Sequence, residues 1–185
     1  LVKVAHNYDI KTLLSEEEVA GLWELYDQTP VECFRQDYQL FNIEKRQVRS
    51  RLSHHPCLKT LDAYMLKEHG LRCNVHYFLK YGKNSFTRMH CDNVKVVKKT
   101  IITFLETSNL VGGHTIVHDL HYDLPPNKDQ SIRRTGSSHR NNVVPCVLPD
   151  VTGSSLIYDW STKHGVSKVF EGHRIVLVSW YVENA

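Results

Sequence analysis

Residues 73–81 read Cys-Asn-Val-His-Tyr-Phe-Leu-Lys-Tyr, with Cys73, Val75, Tyr77, Leu79 and Tyr81 at alternate positions and Asn74, His76 and Lys80 between them. Side chains of a strand point alternately to its two faces, so this period of two marks a β-strand with one apolar face. Upstream the period differs. Ser15 and Glu18 have the spacing of a capping box, and Val19, Leu22, Trp23 and Tyr26 follow at i, i+3, i+4 and i+7 of an amphipathic helix that Pro30 ends. A second helix is expected from Pro56, with Leu58, Leu61 and Met65 on one side, to a stop at Gly70. Helices are thus expected to dominate residues 1–70.

Downstream, β-rich runs recur at Val94–Leu105, His114–Val117, Val143–Leu148, Ser154–Tyr158, Val166–Phe170 and Arg174–Val182. Many short strands after a helical layer imply an α+β, mainly β chain: a jelly-roll core, the double-stranded β-helix, backed by N-terminal helices. We expect one domain over 1–185, with 1–70 as helical support and 71–185 as the core. Within it, residues 119–142 contain Pro125, Pro126 and Gly136 and four basic side chains, Lys128, Arg133, Arg134 and Arg140. That stretch is too long for a hairpin turn and reads as a mobile loop, either a solvated excursion or a lid over an anionic substrate.

Composition excludes more than it assigns. The 185 residues are 41% apolar, enough for one core, and a net charge of +3 argues neither for nucleic acid nor for a membrane surface. No repeat and no membrane-length apolar run is present. Cys33, Cys57, Cys73, Cys91 and Cys146 form no Cys-x-x-Cys pair, which suits reduced thiols in a cytoplasmic protein. The chain begins at Leu1 rather than Met, so the lack of a signal sequence is weak evidence.

Chemistry enters at His90-Cys91-Asp92. Residues i and i+2 of a strand share a face, so His-x-Asp can offer two ligands to one metal. With twelve histidines and ten aspartates, about 0.6 such triplets arise by chance. Two occur, and the other, His121-Tyr122-Asp123, runs into Leu124-Pro125-Pro126, a poor platform for a rigid site. His90 and Asp92 are therefore the candidate ligands. His164, at the start of a late strand, is the candidate third: two histidines and one carboxylate on one face form the non-haem Fe(II) arrangement, with positions left open.

Ten residues beyond His164, Arg174 alternates with Val176, Val178 and Trp180 on an otherwise apolar face. A guanidinium is costly to bury unless an anion meets it, and its planar fork pairs best with a carboxylate. The partner is either an internal acid or a bound dicarboxylic cosubstrate. No acid stands out among the inward strand positions.

Taken in order, these motifs resemble those of the 2-oxoglutarate/Fe(II) dioxygenases, particularly the prolyl 4-hydroxylase-like branch. The likeness covers residues 73–182. Lys80-Tyr81-Gly82-Lys83 stands about nine positions before the His-x-Asp. Next come the apolar run Thr100–Leu105 and Gly112-Gly113-His114-Thr115, similar to the family's Gly-Gly-Glu-Thr but with His114 in place of Glu. His164, Val166, Gly172-His173-Arg174 and Trp180 match the family's closing pattern.

The resemblance implies iron on His90, Asp92 and His164, and Arg174 on the distal carboxylate of 2-oxoglutarate, with Tyr81 and Thr115 assisting. It implies O2 as co-reactant, ascorbate as a candidate reductant, and hydroxylation of a C–H bond with release of succinate and CO2. A prolyl or related amino-acid side chain, free or peptidyl, is the expected substrate. The basic loop with Lys95, Lys98 and Lys99 raises the alternative of a nucleobase or other anionic small molecule. A non-catalytic metal-binding β-barrel module is a third possibility. One difficulty attends the assignment: a two-residue turn at Glu171-Gly172 would set His164 opposite Ser179, on the face away from Arg174, unless a bulge or wider turn intervenes.

Overall fold

The structure, a computed structural model, describes residues 6–37, 41–48, 52–93, 95–107, 109–120 and 143–184. Strands β1 (Tyr8–Lys11), β2 (Phe34–Asp37) and β3 (Phe41–Gln47) and helices α1 (Glu16–Gln28) and α2 (Lys59–His69) form the first part. The rest is β4 (Leu71–Tyr81), β5 (Phe86–His90), β6 (Lys99–Glu106), β7 (Val111–Gly112), β8 (Thr115–Leu120), β9 (Val143–Val147), β10 (Ser155–Asp159), β11 (His164–Val166), β12 (Val169–Glu171) and β13 (Arg174–Glu183). Most of the expected loop, and the triplet His121–Asp123, lie outside the described residues.

Most strands form two facing sheets, with β7 and β12 paired separately in a two-stranded one. The larger runs β1-β10-β6-β13-β4-β3 and the smaller β5-β11-β8-β9, all pairs antiparallel. β3 joins them, pairing with β4 through Lys45 and Arg46 and with β5 through Asn42. This is the expected jelly-roll. Residues 1–70 contribute more than helices, however, since β1 and β3 are members of the sheet. In the run expected over Val94–Leu105, residues 95–98 are not strand and β6 begins at Lys99.

Alternation along each strand sorts the apolar residues into two cores. Phe78, Ile101, Leu177 and Tyr181 point outward and pack under Leu22, Leu61 and Met65 of the helices. Leu79, Ile102, Phe104, Val176 and Val178 point inward, between the sheets. Each fully buried Leu, Ile or Phe contributes about 1.5–3 kcal/mol, so the outer layer fixes the large sheet as firmly as the inner one.

The helix ends follow the sequence signals. Ser15 Oγ accepts from Glu18 N–H at 3.1 Å and Glu18 returns a carboxylate to Ser15 N–H at 3.0 Å. Gly70 ends α2 at φ 66°, the left-handed conformation glycine tolerates. The Trp23 indole donates to Leu105 O at 3.2 Å and pins α1 to β6. Among the described residues all five cysteines are free, and no helix is long and apolar enough to cross a membrane.

Candidate metal and cosubstrate site

β11 pairs with β5 so that His164 stands directly across from His90. That register explains the convergence of two histidines far apart in sequence. Asp92 follows just past the end of β5, and its Oδ1 lies 3.5 Å from His164 Nε2 and 3.8 Å from His90 Nε2. One ligand atom from each residue falls within 4.8 Å of the others.

Each ring is oriented from behind. His90 Nδ1 donates to Arg88 O at 2.8 Å and His164 Nδ1 to Thr162 O at 2.9 Å, a tautomer inferred from the hydrogen bonds that turns both Nε2 lone pairs inward. Thr100 Oγ1 donates to Asp92 Oδ2 at 2.5 Å, leaving Oδ1 toward the histidines. Burial pushes the His164 pKa down, against the pull of Asp92, which favours the neutral imidazole that a metal needs. The Tyr158 hydroxyl lies 3.0 Å from His164 Nε2, and burial holds its pKa well above the usual range, so it donates to that lone pair, a bond that a metal on Nε2 would replace.

β5 carries a bulge that matters here. A two-residue step on β11, from His164 to Val166, is matched by a three-residue step on β5, from His90 to Thr87. The extra residue reverses the alternation, and Thr87 and His90 both line the cavity.

The cavity has a volume of about 220 Å³, and Tyr81, His90, Asp92, Thr115, His164 and Arg174 all line it. The difficulty over His164 and Arg174 dissolves because β11 never pairs with β13. β11 belongs to the small sheet and β13 to the large one, and their inward faces meet across the interior. Arg174 is fully buried, stacked 5.4 Å from the Tyr81 ring centre and 5.1 Å from that of Phe104. Tyr81 turns its hydroxyl to Thr87 Oγ1 at 2.7 Å, and burial raises its pKa despite the cation.

An internal acid does meet Arg174. Nη1 donates to Asp150 Oδ2 at 2.7 Å, Thr115 Oγ1 at 2.8 Å and Gly113 O at 3.0 Å. Asp150 sits in the loop after β9 rather than at an inward strand position, so periodicity had no means of finding it. Thr100 and Tyr158 were likewise invisible, since their strands read as plain apolar runs. Arg174 Nε, buried without a partner among the described residues, remains available to a second anion. The donor set fits a hard or borderline divalent metal, and the orphaned Nε fits a carboxylate.

Asp62, Cys73 and His76 form a second convergent group. Its atoms serve one another instead. Asp62 Oδ1 accepts from His76 Nε2 at 3.0 Å and from the Tyr181 hydroxyl at 2.9 Å, and the Cys73 thiol is pushed up to about 12, chiefly by burial. This network ties α2 to β4 and β13.

No protein-family model and no curated protein matches the sequence. Solved structures do match in fold. A Pseudomonas putida prolyl-4-hydroxylase aligns with a TM-score of 0.68 at 13% identity, over 98% of this chain and 95% of that one. The non-haem alpha-ketoglutarate-dependent epimerase SnoN of nogalamycin biosynthesis gives a TM-score of 0.68 at 17% identity, over 96% and 79%. A Trichoplax adhaerens prolyl hydroxylase, solved with a hypoxia inducible factor peptide fragment, gives 0.61 at 11% identity, over 96% and 84%. The chain therefore shares the jelly-roll fold of 2-oxoglutarate-dependent oxygenases of several specificities.

Proposed function

We propose that the chain is an Fe(II)- and 2-oxoglutarate-dependent oxygenase that hydroxylates an unactivated C–H bond of a prolyl or related amino-acid side chain, free or within a peptide. The observation that carries this reading is the joint one: His90, Asp92 and His164 converge in the same cavity as the buried cation Arg174. Iron and 2-oxoglutarate would supply the oxidising chemistry, consuming O2 and releasing succinate and CO2. His90, Asp92 and His164 would hold the metal. Arg174 would bind the distal carboxylate, and Thr115 and Tyr81 fix the guanidinium through a hydrogen bond and ring stacking.

The remaining walls orient and dry the site. Ile102, Val176 and Val178 exclude water along one side, which strengthens every charge interaction inside. Tyr77 and Trp180, edge to face at 5.4 Å, line the cavity with Arg46, whose guanidinium lies 5.6 Å from the Tyr77 ring centre. Such aromatic walls suit a compact apolar ring or side chain. The fold likeness to two prolyl hydroxylases, one holding a peptide, favours the amino-acid reading.

The test has two parts. Anaerobic addition of Fe(II) and 2-oxoglutarate should produce a weak visible charge-transfer band, and succinate release should be screened against peptide, amino-acid and nucleoside pools. His90→Ala and Asp92→Ala should lose iron and all turnover, whereas His121→Ala and Asp123→Ala should retain iron. Loss of iron only in the latter pair would overturn the site.

A further inference from the structure

Arg174 is held by an acid that does not line the cavity. Asp150, its side chain 5% exposed, reaches Nη1 through Oδ2 alone. The same oxygen takes the Thr115 backbone N–H at 3.2 Å, while Oδ1 has no partner among the described residues. The guanidinium is used just as unevenly. Its hydrogen bonds to Asp150, Thr115 and Gly113 all leave from Nη1, and Nε is buried without a partner among the described residues. A self-sufficient Arg–Asp pair is two-pronged, each partner using two atoms. This one is end-on, and it leaves one edge of the fork uncommitted.

We infer that Arg174 is shared between two carboxylates: Asp150, which stays on Nη1 behind the cavity wall, and the distal carboxylate of the cosubstrate, on the edge that carries Nε. The inference rests on the oxygenase reading and adds to it that the resident charge of Asp150 holds down the affinity for 2-oxoglutarate. A cation this deeply buried needs a counter-ion whenever the cosubstrate is away. Asp150 supplies one, so the protein folds before 2-oxoglutarate arrives. The same charge then acts against the second carboxylate, which gains hydrogen bonds from the fork but meets a like charge just beyond it. Asp150 is a positioning residue, acting on the cosubstrate only through Arg174.

Asp150→Asn removes the charge and keeps an oxygen for Nη1, and Asp150→Ser, measured in parallel, removes the charge without a bulky amide. Both are titrated anaerobically as Fe(II) protein with 2-oxoglutarate and with 2-oxobutyrate, which lacks the distal carboxylate. The expected result has opposite signs. The dissociation constant for 2-oxoglutarate falls roughly tenfold, that for 2-oxobutyrate stays unchanged, and the metal-free variants melt below wild type. A purely structural role would lower stability without separating the two keto acids. Unchanged or weaker 2-oxoglutarate binding in both variants, or equal tightening of both keto acids, would overturn the sharing of Arg174 while leaving the oxygenase reading intact. Failure of wild type and variants alike to bind either keto acid would overturn that reading and the inference with it.

Discussion

At the scale of single residues, the proposed site predicts separable tasks for Arg174 and for the candidate ligands His90, Asp92 and His164. Arg174→Lys keeps a cation but loses the planar fork, so the dissociation constant for 2-oxoglutarate should rise roughly tenfold, about 1.4 kcal/mol. Arg174→Met should be worse on two counts. It removes the carboxylate's partner, and it strands Asp150 as a buried acid, a loss of about 3–5 kcal/mol in stability. Iron stoichiometry should barely change in either variant, because the guanidinium spends its hydrogen bonds on Asp150, Thr115 and Gly113. Separate titrations of iron and 2-oxoglutarate, with a melting curve, check all three statements; unchanged cosubstrate affinity in both variants would mean that Asp150 alone satisfies the cation. The convergence of His90, Asp92, His164 and Arg174 on one cavity was legible in the sequence because a charged or coordinating group on an apolar strand demands an explanation. Asp150 was not, because a loop aspartate carries no periodic context and its inward turn depends on Thr115 and Arg174 being in place.

At the scale of elements, the site depends on how closely β11 lies on β5. Gly165 follows His164 on β11, and a Cβ there would come within 2.8 Å of both Thr87 O and Met89 Sδ and 3.1 Å of Met89 N. Two of those atoms are backbone, so the strands themselves must part. Gly165→Ala should therefore cost about 1–3 kcal/mol of stability and move His164 away from His90, lowering iron affinity without altering a ligand. Iron binding followed alongside the melting temperature tests it, and full-strength iron binding in a destabilised variant would show that the pair tolerates separation. β5 escaped the sequence reading for a related reason. Its cavity face is Thr87 and His90, polar and out of alternation because of the bulge, so neither apolarity nor period two marks it. β1 and β3 were hidden differently: β1 is exposed over most of its length, and β3 changes partner midway, so neither keeps one apolar face.

At the scale of the whole molecule, the alternation first read at residues 73–81 carries the architecture, since a sheet with helices outside and a second sheet inside must be apolar on both faces, as β6 and β13 are. Loss of water around ionisable side chains also sets how the protein should respond to pH. His69, His118 and His164 all have pKa values lowered, mainly by burial, from an ordinary value of 6.5. In the unfolded chain these rings take up protons first, so between the two values the unfolded state binds more protons and stability falls as pH falls. Tyr77, Tyr81, Tyr158 and Tyr181 are shifted the other way, raised by burial from an ordinary value of 10.0. Their contribution is fully present below 10 and is lost as pH rises, because the unfolded chain releases those protons first. Cys57, Cys73, Cys91 and Cys146, raised by burial from 9.0, act the same way from a lower pH, so the metal-free protein should hold a plateau of stability from about pH 7 to about pH 8.5, declining on both sides. Denaturant titrations across pH 5 to 11 would trace that dome. The acid limb has a specific signature: bound metal requires His164 neutral, so iron should steepen the loss below about pH 6.5 by adding its own release to the protonation of the rings. Equal acid slopes with and without iron would show that the metal does not depend on His164.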